Sequence, residues 1–323
     1  MSGIAVVIAA WNVRDHLRDC LKSIEAETRS HPFRVVVVDN GSTDGTKEMV
    51  AAEFPKALTL RNDRNRGFVA GTNQGLAWAL GETESSAFDY LLLLNADVAV
   101  RNRAIDRLAG FLDARPDAAA AAPGLLLPTG RRQTGPAGFA PTARSAWSYF
   151  SFASKLRPHR SRPLFVENRA WRSPAGLSGE RRVDWLSGAC LMVRADVVRR
   201  IGLMDESYFI YADDIDWGLR MTRAGAKLFF LPSIAVVHFH GVTAKTIHHE
   251  INTKWLERLF QFVRSDRGPA EAVAFRLISA GGFAARALIY SLGAPVPSLF
   301  SRLAPKAREM AVFALYSLGI SVR

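Results

Sequence analysis

RVVVVDNGSTDGT, residues 34–46, is a β-branched run that ends abruptly at an aspartate and a glycine-rich turn. Four consecutive valines with no polar residue among them suit a strand covered on both faces rather than one with a wet side. Gly41 and Gly45 permit tight turns with positive φ, and Lys47–Phe54 then has the pattern of a helix. Strand, turn and helix in so short a stretch make half of a βαβ unit.

The neighbouring segments repeat the theme. Ile4–Ala10 is a short apolar run, followed by Leu17, Leu21 and Ile24 at helical spacing. Ala57–Arg61 reads as a weaker strand, Gly67–Leu80 as a helix, and Tyr90–Leu94 (YLLLL) as a buried strand that stops at Asn95-Ala96-Asp97. The expectation is an α/β fold whose mostly parallel central sheet is flanked by helices. In such sheets ligands bind beyond the carboxyl ends of the strands. Asp39 and Asp97 stand at two of those ends.

With 323 residues, 49% hydrophobic and 22% charged, the chain has the composition of a globular protein, long enough for a large α/β domain and an appendage. Its net charge of +12 calls for an anionic partner: nucleic acid, phospholipid headgroups or a phosphorylated substrate. Cys20 and Cys190 are too few for a disulfide framework and form no CxxC pair, which fits packing roles in a reducing cytosolic setting. The opening MSGIAVVIAAW runs straight into Asn12, Arg14 and Asp15, and so reads as a buried strand rather than a signal peptide. No stretch holds the roughly 20 uninterrupted apolar residues that span a bilayer, so an integral membrane protein is not expected.

Regularity fades between residues 127 and 183. Eight basic residues face two acidic ones from Lys155 to Arg182, as in a solvated loop or a basic flap beside an anionic substrate. Order returns at Trp185–Val193, followed by apolar runs at Leu228–Pro232 and Ile234–His240. Beyond His249 the chain is helical and basic, and Ala272–Tyr290 is apolar but punctuated by Arg276 and Arg286. Such segments suit either a helical cap on the core or helices lying in a membrane interface. Domains are expected at 1–265 and 266–323.

Between Met204 and Arg220 the sequence MDESYFIYADDIDWGLR interleaves carboxylates with aromatic rings. The combination fits a walled, partly dry site in which a carboxylate is tuned as a base or aimed at a metal. Asp213 and Asp214 also suit the first turn of a helix. In NRGFVAGTNQG, residues 65–75, glycines leave backbone amides accessible at a helix start and Arg66 can meet a phosphate. A lone carboxylate such as Asp97 at a strand end can hold Mg²⁺ or Mn²⁺ with substrate phosphate oxygens, and His238 or His240 can add an imidazole. Gly45-Thr46 is not a P-loop, and no GxGxxG is present. A nucleotidyltransferase is a further reading, although Ile4–Val13 offers no basic nucleotide anchor. A nucleic-acid-binding protein would need a basic stripe with stacking aromatics.

DNGSTDGT, NRGFVAGTNQGL, LLLNADV and the segments GACLMVR, MDESYFIYADDIDWGLR and VVHFHG, in this order, resemble an inverting family 2 glycosyltransferase of GT-A fold, closest to bacterial rhamnosyltransferase-type enzymes. The likeness covers about residues 3–265. It implies that Asp39 contacts the nucleobase and ribose, with Ala9 and Asn12 lining the same pocket and Arg66, Asn73 and Asn95 joining the donor-binding set. Asp97 matches the last aspartate of the metal motif, whose first carboxylate is replaced here by Asn95. Asp214 falls on the catalytic base, Asp213 stands where glutamate is commoner, and His238 matches the metal-side histidine better than His240. Trp185 and Trp217 are then candidates for stacking on sugar, with core packing as the alternative. The implied reaction moves a sugar from a nucleoside-diphosphate sugar, dTDP-rhamnose favoured, to a glycan or lipid-linked acceptor of the cell surface. Mg²⁺ or Mn²⁺ would be the cofactor. An anionic membrane surface, and no nucleic acid, would be the further partner, on the cytoplasmic face of the plasma membrane.

Overall fold

A computed structural model describes residues 3–81, 88–151, 161–166, 179–239, 253–293 and 297–320. The chain divides into two compact units: Met1–Gly138 with Val166–Ile247, and Phe139–Phe165 with His248–Arg323. The contacts thus set the division earlier than residue 265 and draw part of the 127–183 region into the second unit.

In the first unit the chain runs β1 (Gly3–Ala10), α1 (Arg14–Glu27), β2 (Phe33–Asp39), α2 (Thr46–Glu53), β3 (Leu58–Arg61), α3 (Phe68–Gly81), β4 (Phe88–Leu94), β5 (Val98–Ala99), α4 (Ala104–Ala114), β6 (Ala118–Leu126) and β7 (Ala137–Gly138). The sheet order is β3-β2-β1-β4-β10-β6-β11-β5, where β10 is Cys190–Arg194 and β11 is Lys227–His238; β8 (Arg181–Val183) also pairs with β11. Strands β3, β2, β1 and β4 are parallel, as the valine and leucine runs imply, and the register sets Ala10 beside Asp39. Beyond β4 the pairing is of both kinds: β6 and β11 are parallel, whereas β5 and β8 run antiparallel to β11. β10 runs antiparallel to both β4 and β6, so the sheet is mixed. An apolar run records burial but not direction.

Two boundaries also move. Trp185–Val193 splits into β9 (Trp185–Leu186) and β10 around a turn at 187–189. The two later runs merge into β11, whose register shifts between Leu231 and Ala235. Pro232 lacks an N–H for the ladder, and a bulge is where a sheet accommodates that loss. Below the sheet, Leu17, Cys20, Leu21 and Ile24 of α1 pack with Ile105, Leu108 and Leu112 of α4 in the core. Cys20 and Cys190 are buried, and burial pushes both thiols up, which leaves them to packing. Trp185 and Trp217 are buried as well, and the Trp217 indole N–H donates to the Gly202 carbonyl at 3.0 Å, so both serve the core rather than a sugar.

The second unit comprises α5 (Ala143–Phe150), opened by a reciprocal Thr142–Ser145 cap, and three later helices separated from it in sequence by α6 (Ala195–Ile201) and α7 (Asp213–Arg223) of the first unit. These are α8 (Lys254–Arg267), α9 (Pro269–Gly293) and α10 (Pro297–Ser317). Phe150, Trp255, Phe283 and Phe313 stack edge to face or tilted, with centroids 4.8–6.3 Å apart. Residues 269–292 are long and apolar enough to cross a membrane by length and composition, with a mean hydropathy of 1.5 over an 18-residue stretch of which 39% is buried. Counting uninterrupted apolar residues overlooks this helix because Arg276 and Arg286 break the run.

Gly218 of α7 has no room for a side chain: a Cβ there would sit 2.7 Å from the Trp185 Cα. Gly218→Ala is therefore expected to cost about 1–3 kcal/mol, read as a lower midpoint in urea with an unchanged slope.

Candidate active site

The first corner of the site forms where β1 and β2 end. The buried Asp39 carboxylate accepts from the Ser42 amide at 2.9 Å and from Arg61 Nη1 at 2.8 Å. Asn12, held at φ 50, accepts from the Thr43 amide at 2.8 Å while its own amide donates to Ser42 Oγ. Ala9 lies one residue short of the end of β1 and is partly exposed. The DNGSTDGT turn is thus braced from both sides. Gly41 cannot be replaced there, because a Cβ would fall 2.9 Å from the Arg64 backbone at a φ of 74.

The second corner follows β4. Antiparallel pairing of β5 with β11 sets Val98 opposite His238, and the Phe239 amide donates to the Asp97 carbonyl at 2.9 Å. His238 Nε2 lies 3.3 Å from Asp97 Oδ1 and 3.3 Å from Asn95 Nδ2. Its Nδ1 faces Gln133 Oε1 at 2.9 Å. An amide oxygen can only accept, so Nδ1 carries a proton and Nε2 is aimed at Asp97. Two electron-rich atoms then confront one another unless a proton or a cation lies between them. Burial pushes Asp97 up, but a proton on Nε2 gives His238 a hydrogen bond and a charge that outweigh burial and hold the carboxyl below the usual range.

The same corner fits a divalent ion. The Asp97–His238 separation of 3.3 Å is close to the roughly 3 Å expected between adjacent ligands of a six-coordinate ion with bonds near 2.1 Å. Asn95 Oδ1 is buried without a hydrogen-bond partner. Among the described residues no group of three or more His, Cys, Asp or Glu could hold a metal. The remaining ligands would therefore come from substrate phosphate and water, the usual pattern for Mg²⁺ and Mn²⁺. His240 lies outside the described residues.

The third corner is the head of α7. Tyr211 and Ala212 both adopt left-handed backbone, φ 70 and 64, a conformation costing about 1–2 kcal/mol per non-glycine residue. That reversal starts the helix at Asp213 and Asp214 with no side-chain cap. Asp213 is buried, and Asp214 is partly exposed, accepting from the amides of Gly188 and Ile215. Burial pushes both carboxyls above the usual range, and the charge of Asp214 pushes Asp213 further. Asp216 binds Arg220 at 2.9 Å, and Arg220 also donates to the carbonyls of Ile201 and Leu203. Asp216 is a structural brace.

The turn at 187–189 joins the second and third corners. The Asn95 amide donates to the Ala189 carbonyl at 3.0 Å, and the Gly188 amide donates to Asp214. Asn73 has another position from the one expected. Its amide brackets Met204, donating to the carbonyl at 2.8 Å and accepting from the N–H at 3.0 Å, and reaches Glu206 at 3.2 Å. Both ends being engaged, Asn73 holds the acidic segment in place. Arg66 is half exposed, 3.8 Å from Glu206. Gln133 and Arg61 escaped sequence reading, one inside the irregular region and the other at the end of a weak strand.

Residues 5–153 match the glycosyl transferase family 2 model. N-acetylglucosaminyl-diphospho-decaprenol L-rhamnosyltransferase of Mycobacterium tuberculosis is 31% identical over 242 residues, 73% of this chain and 75% of that protein. Rhamnosyltransferase WbbL of Escherichia coli is 21% identical over 80% of this chain and 89% of its own length. Among solved structures, mannosyltransferase PcManGT from Pyrobaculum calidifontis, in complex with GDP-Man and Mn²⁺, superposes with a TM-score of 0.55 at 19% identity, covering 97% of this chain and 87% of that one. The chain belongs to glycosyltransferase family 2. It is a glycosyltransferase built on the GT-A fold.

The raised Asp213 carboxyl has a stability consequence. A folded-state affinity for protons above the unfolded one lowers stability as pH rises from about 4. Asp213→Asn should therefore raise the melting temperature at pH 8 by a few degrees, with the gain shrinking towards pH 4. Thermal melts of both proteins across that range check the sign.

Proposed function

We propose that the protein is a metal-dependent inverting glycosyltransferase that transfers rhamnose from dTDP-rhamnose to a hydroxyl of a lipid-linked or glycan acceptor. One observation supports the reading: Asp214 of the carboxylate pair and Asn95, two residues before Asp97 of the aspartate–histidine pair, hydrogen-bond to adjacent residues of one turn, Gly188 and Ala189. Inversion needs a base on one side of the sugar and charge neutralisation on the other. The donor choice is supported by the rhamnosyl transfer named for the relatives, and the acceptor class by the decaprenol diphosphate in the mycobacterial name.

In this mechanism Asp214 accepts the proton of the acceptor hydroxyl as that oxygen bonds to the anomeric carbon, and the bond from that carbon to the diphosphate oxygen breaks. Burial raises the proton affinity of Asp214 above that of a surface aspartate, which strengthens it as a base. Asp213 keeps its proton longer, so the pair avoids carrying two adjacent charges. Asp39, braced by Arg61 and Ser42, presents a fixed acceptor to the nucleoside. Arg66, half exposed two residues ahead of α3 and near Glu206, would turn to the donor phosphates. Mg²⁺ or Mn²⁺ at Asp97 and His238 would neutralise the departing nucleoside diphosphate. A lipid-linked acceptor would set the reaction at the cytoplasmic membrane face.

Asp214→Asn is expected to lower turnover by roughly 10²–10⁴-fold while dTDP-rhamnose binding, measured by calorimetry, stays the same. Weakened donor binding with normal turnover at saturation would refute the base assignment. Chelation with EDTA should stop transfer and added Mg²⁺ or Mn²⁺ restore it. In a panel of nucleotide sugars with Mn²⁺, dTDP-rhamnose should give the largest thermal shift; a larger one with a UDP- or GDP-sugar would replace it as donor.

A further inference from the structure

Helix α9 presents two contrasting sides. Phe275, Ser279, Ala280 and Phe283 are buried within the second unit. Val273, Leu277, Leu288, Ile289 and Leu292 are 52–72% exposed, with Gly281, Ala284 and Ala285 exposed between them. Positions 273, 277, 281, 284, 288 and 292 follow the three-or-four spacing of one helical face. That face carries no charge, because the two arginines that interrupt the sequence are folded onto the protein. Arg276 donates to the Ser317 carbonyl at 3.0 Å and lies over Phe260. Arg286 donates to the Tyr149 carbonyl and lies over the Tyr149 and Phe150 rings. Contiguous exposed apolar surface of this kind marks an interaction site.

Charge identifies the partner. Residues 139–165 and 248–323 hold fifteen Lys and Arg against five Asp and Glu, a net +10 of the chain's +12. The first unit, which carries the active site, is left with only +2. An apolar face on a strongly basic unit matches an anionic lipid surface, where acyl chains take the leucines and headgroups the cations.

We propose that the Val273–Leu292 face of α9 embeds in the interface of an anionic bilayer, with the helix lying along the membrane rather than crossing it. Crossing is opposed by the packing of α10. That helix runs antiparallel beside α9, with Ser317 at Arg276 and Lys306 over Tyr290. A spanning α9 would carry Lys306, Arg308 and Glu309 into the hydrocarbon, where charged side chains are costly. Lying flat keeps the packed side of α9 on its own helices and gives only the exposed face to lipid. The inference rests on this face and on charge, independently of the donor and acceptor proposed above.

The test is flotation of the full chain with vesicles of phosphatidylcholine containing roughly one quarter phosphatidylglycerol. The protein should float with these vesicles, less so in high salt, and poorly with phosphatidylcholine alone. A Leu277→Asp/Leu288→Asp variant should lose roughly tenfold or more of that binding with an unchanged thermal melt, both positions being exposed. Leu288→Trp, as a second probe, should shift its emission to the blue on adding anionic vesicles. Equal flotation of the aspartate variant, or no shift of the tryptophan, would overturn the assignment of the face. Resistance of the bound protein to alkaline carbonate extraction would overturn the lying geometry in favour of a crossing helix. Donor affinity, measured without vesicles, should be the same in all variants, so a failed donor assignment would show there and not in flotation.

Discussion

The hydrogen bond from the Asn95 amide to the Ala189 carbonyl is the contact on which the site depends. It exists because β10 runs against β4, so that the beginning of one strand meets the end of the other. A parallel neighbour would have sent the 187–189 turn to the far edge of the sheet. With the antiparallel one, that turn lies beside Asp97 and His238 and also offers the Gly188 amide to Asp214. The base and the cation site of the proposed mechanism would thereby both be tied to one short piece of backbone.

The head of α7 carries local cost on that support. Two successive non-glycine residues in left-handed conformation, an uncapped first turn and a buried carboxyl beside a partly buried one each oppose folding. Surrounding contacts outweigh them. Asn73 brackets Met204, the Phe68 amide donates to the Phe209 carbonyl, Trp217 and Arg220 tie α7 to residues 201–203, and Gly218 lets α7 close onto Trp185. The acidic segment is thus held from several sides, while Asp214 stays partly exposed.

Electrostatics divides the two units by role. The first, nearly neutral overall, holds the Asp213–Asp214 and Asp97–His238 pairs; the second carries almost all of the excess positive charge and the exposed apolar helix face. A +12 chain could have been read as a nucleic-acid binder, but charge segregated onto a helical unit with an uncharged apolar stripe fits the lipid-facing surface proposed for it.

Much of the first half was legible in the sequence. RVVVVDNGSTDGT and YLLLLNAD specify buried strands ending in carboxylates, because continuous β-branched and leucine runs tolerate no wet face, and glycines followed by aspartates permit the turns that stop them. MDESYFIYADDIDWGLR announced a walled acidic site for the same compositional reason. Direction and partnership were not legible. The reversal of β10, the approach of Gln133 to His238, the bracket made by Asn73 and the inward turn of Arg276 and Arg286 all join residues far apart in the chain. Local patterning encodes which side of an element is buried. Only packing decides what it is buried against, and that choice separated the residues that hold the site from those free to act in it.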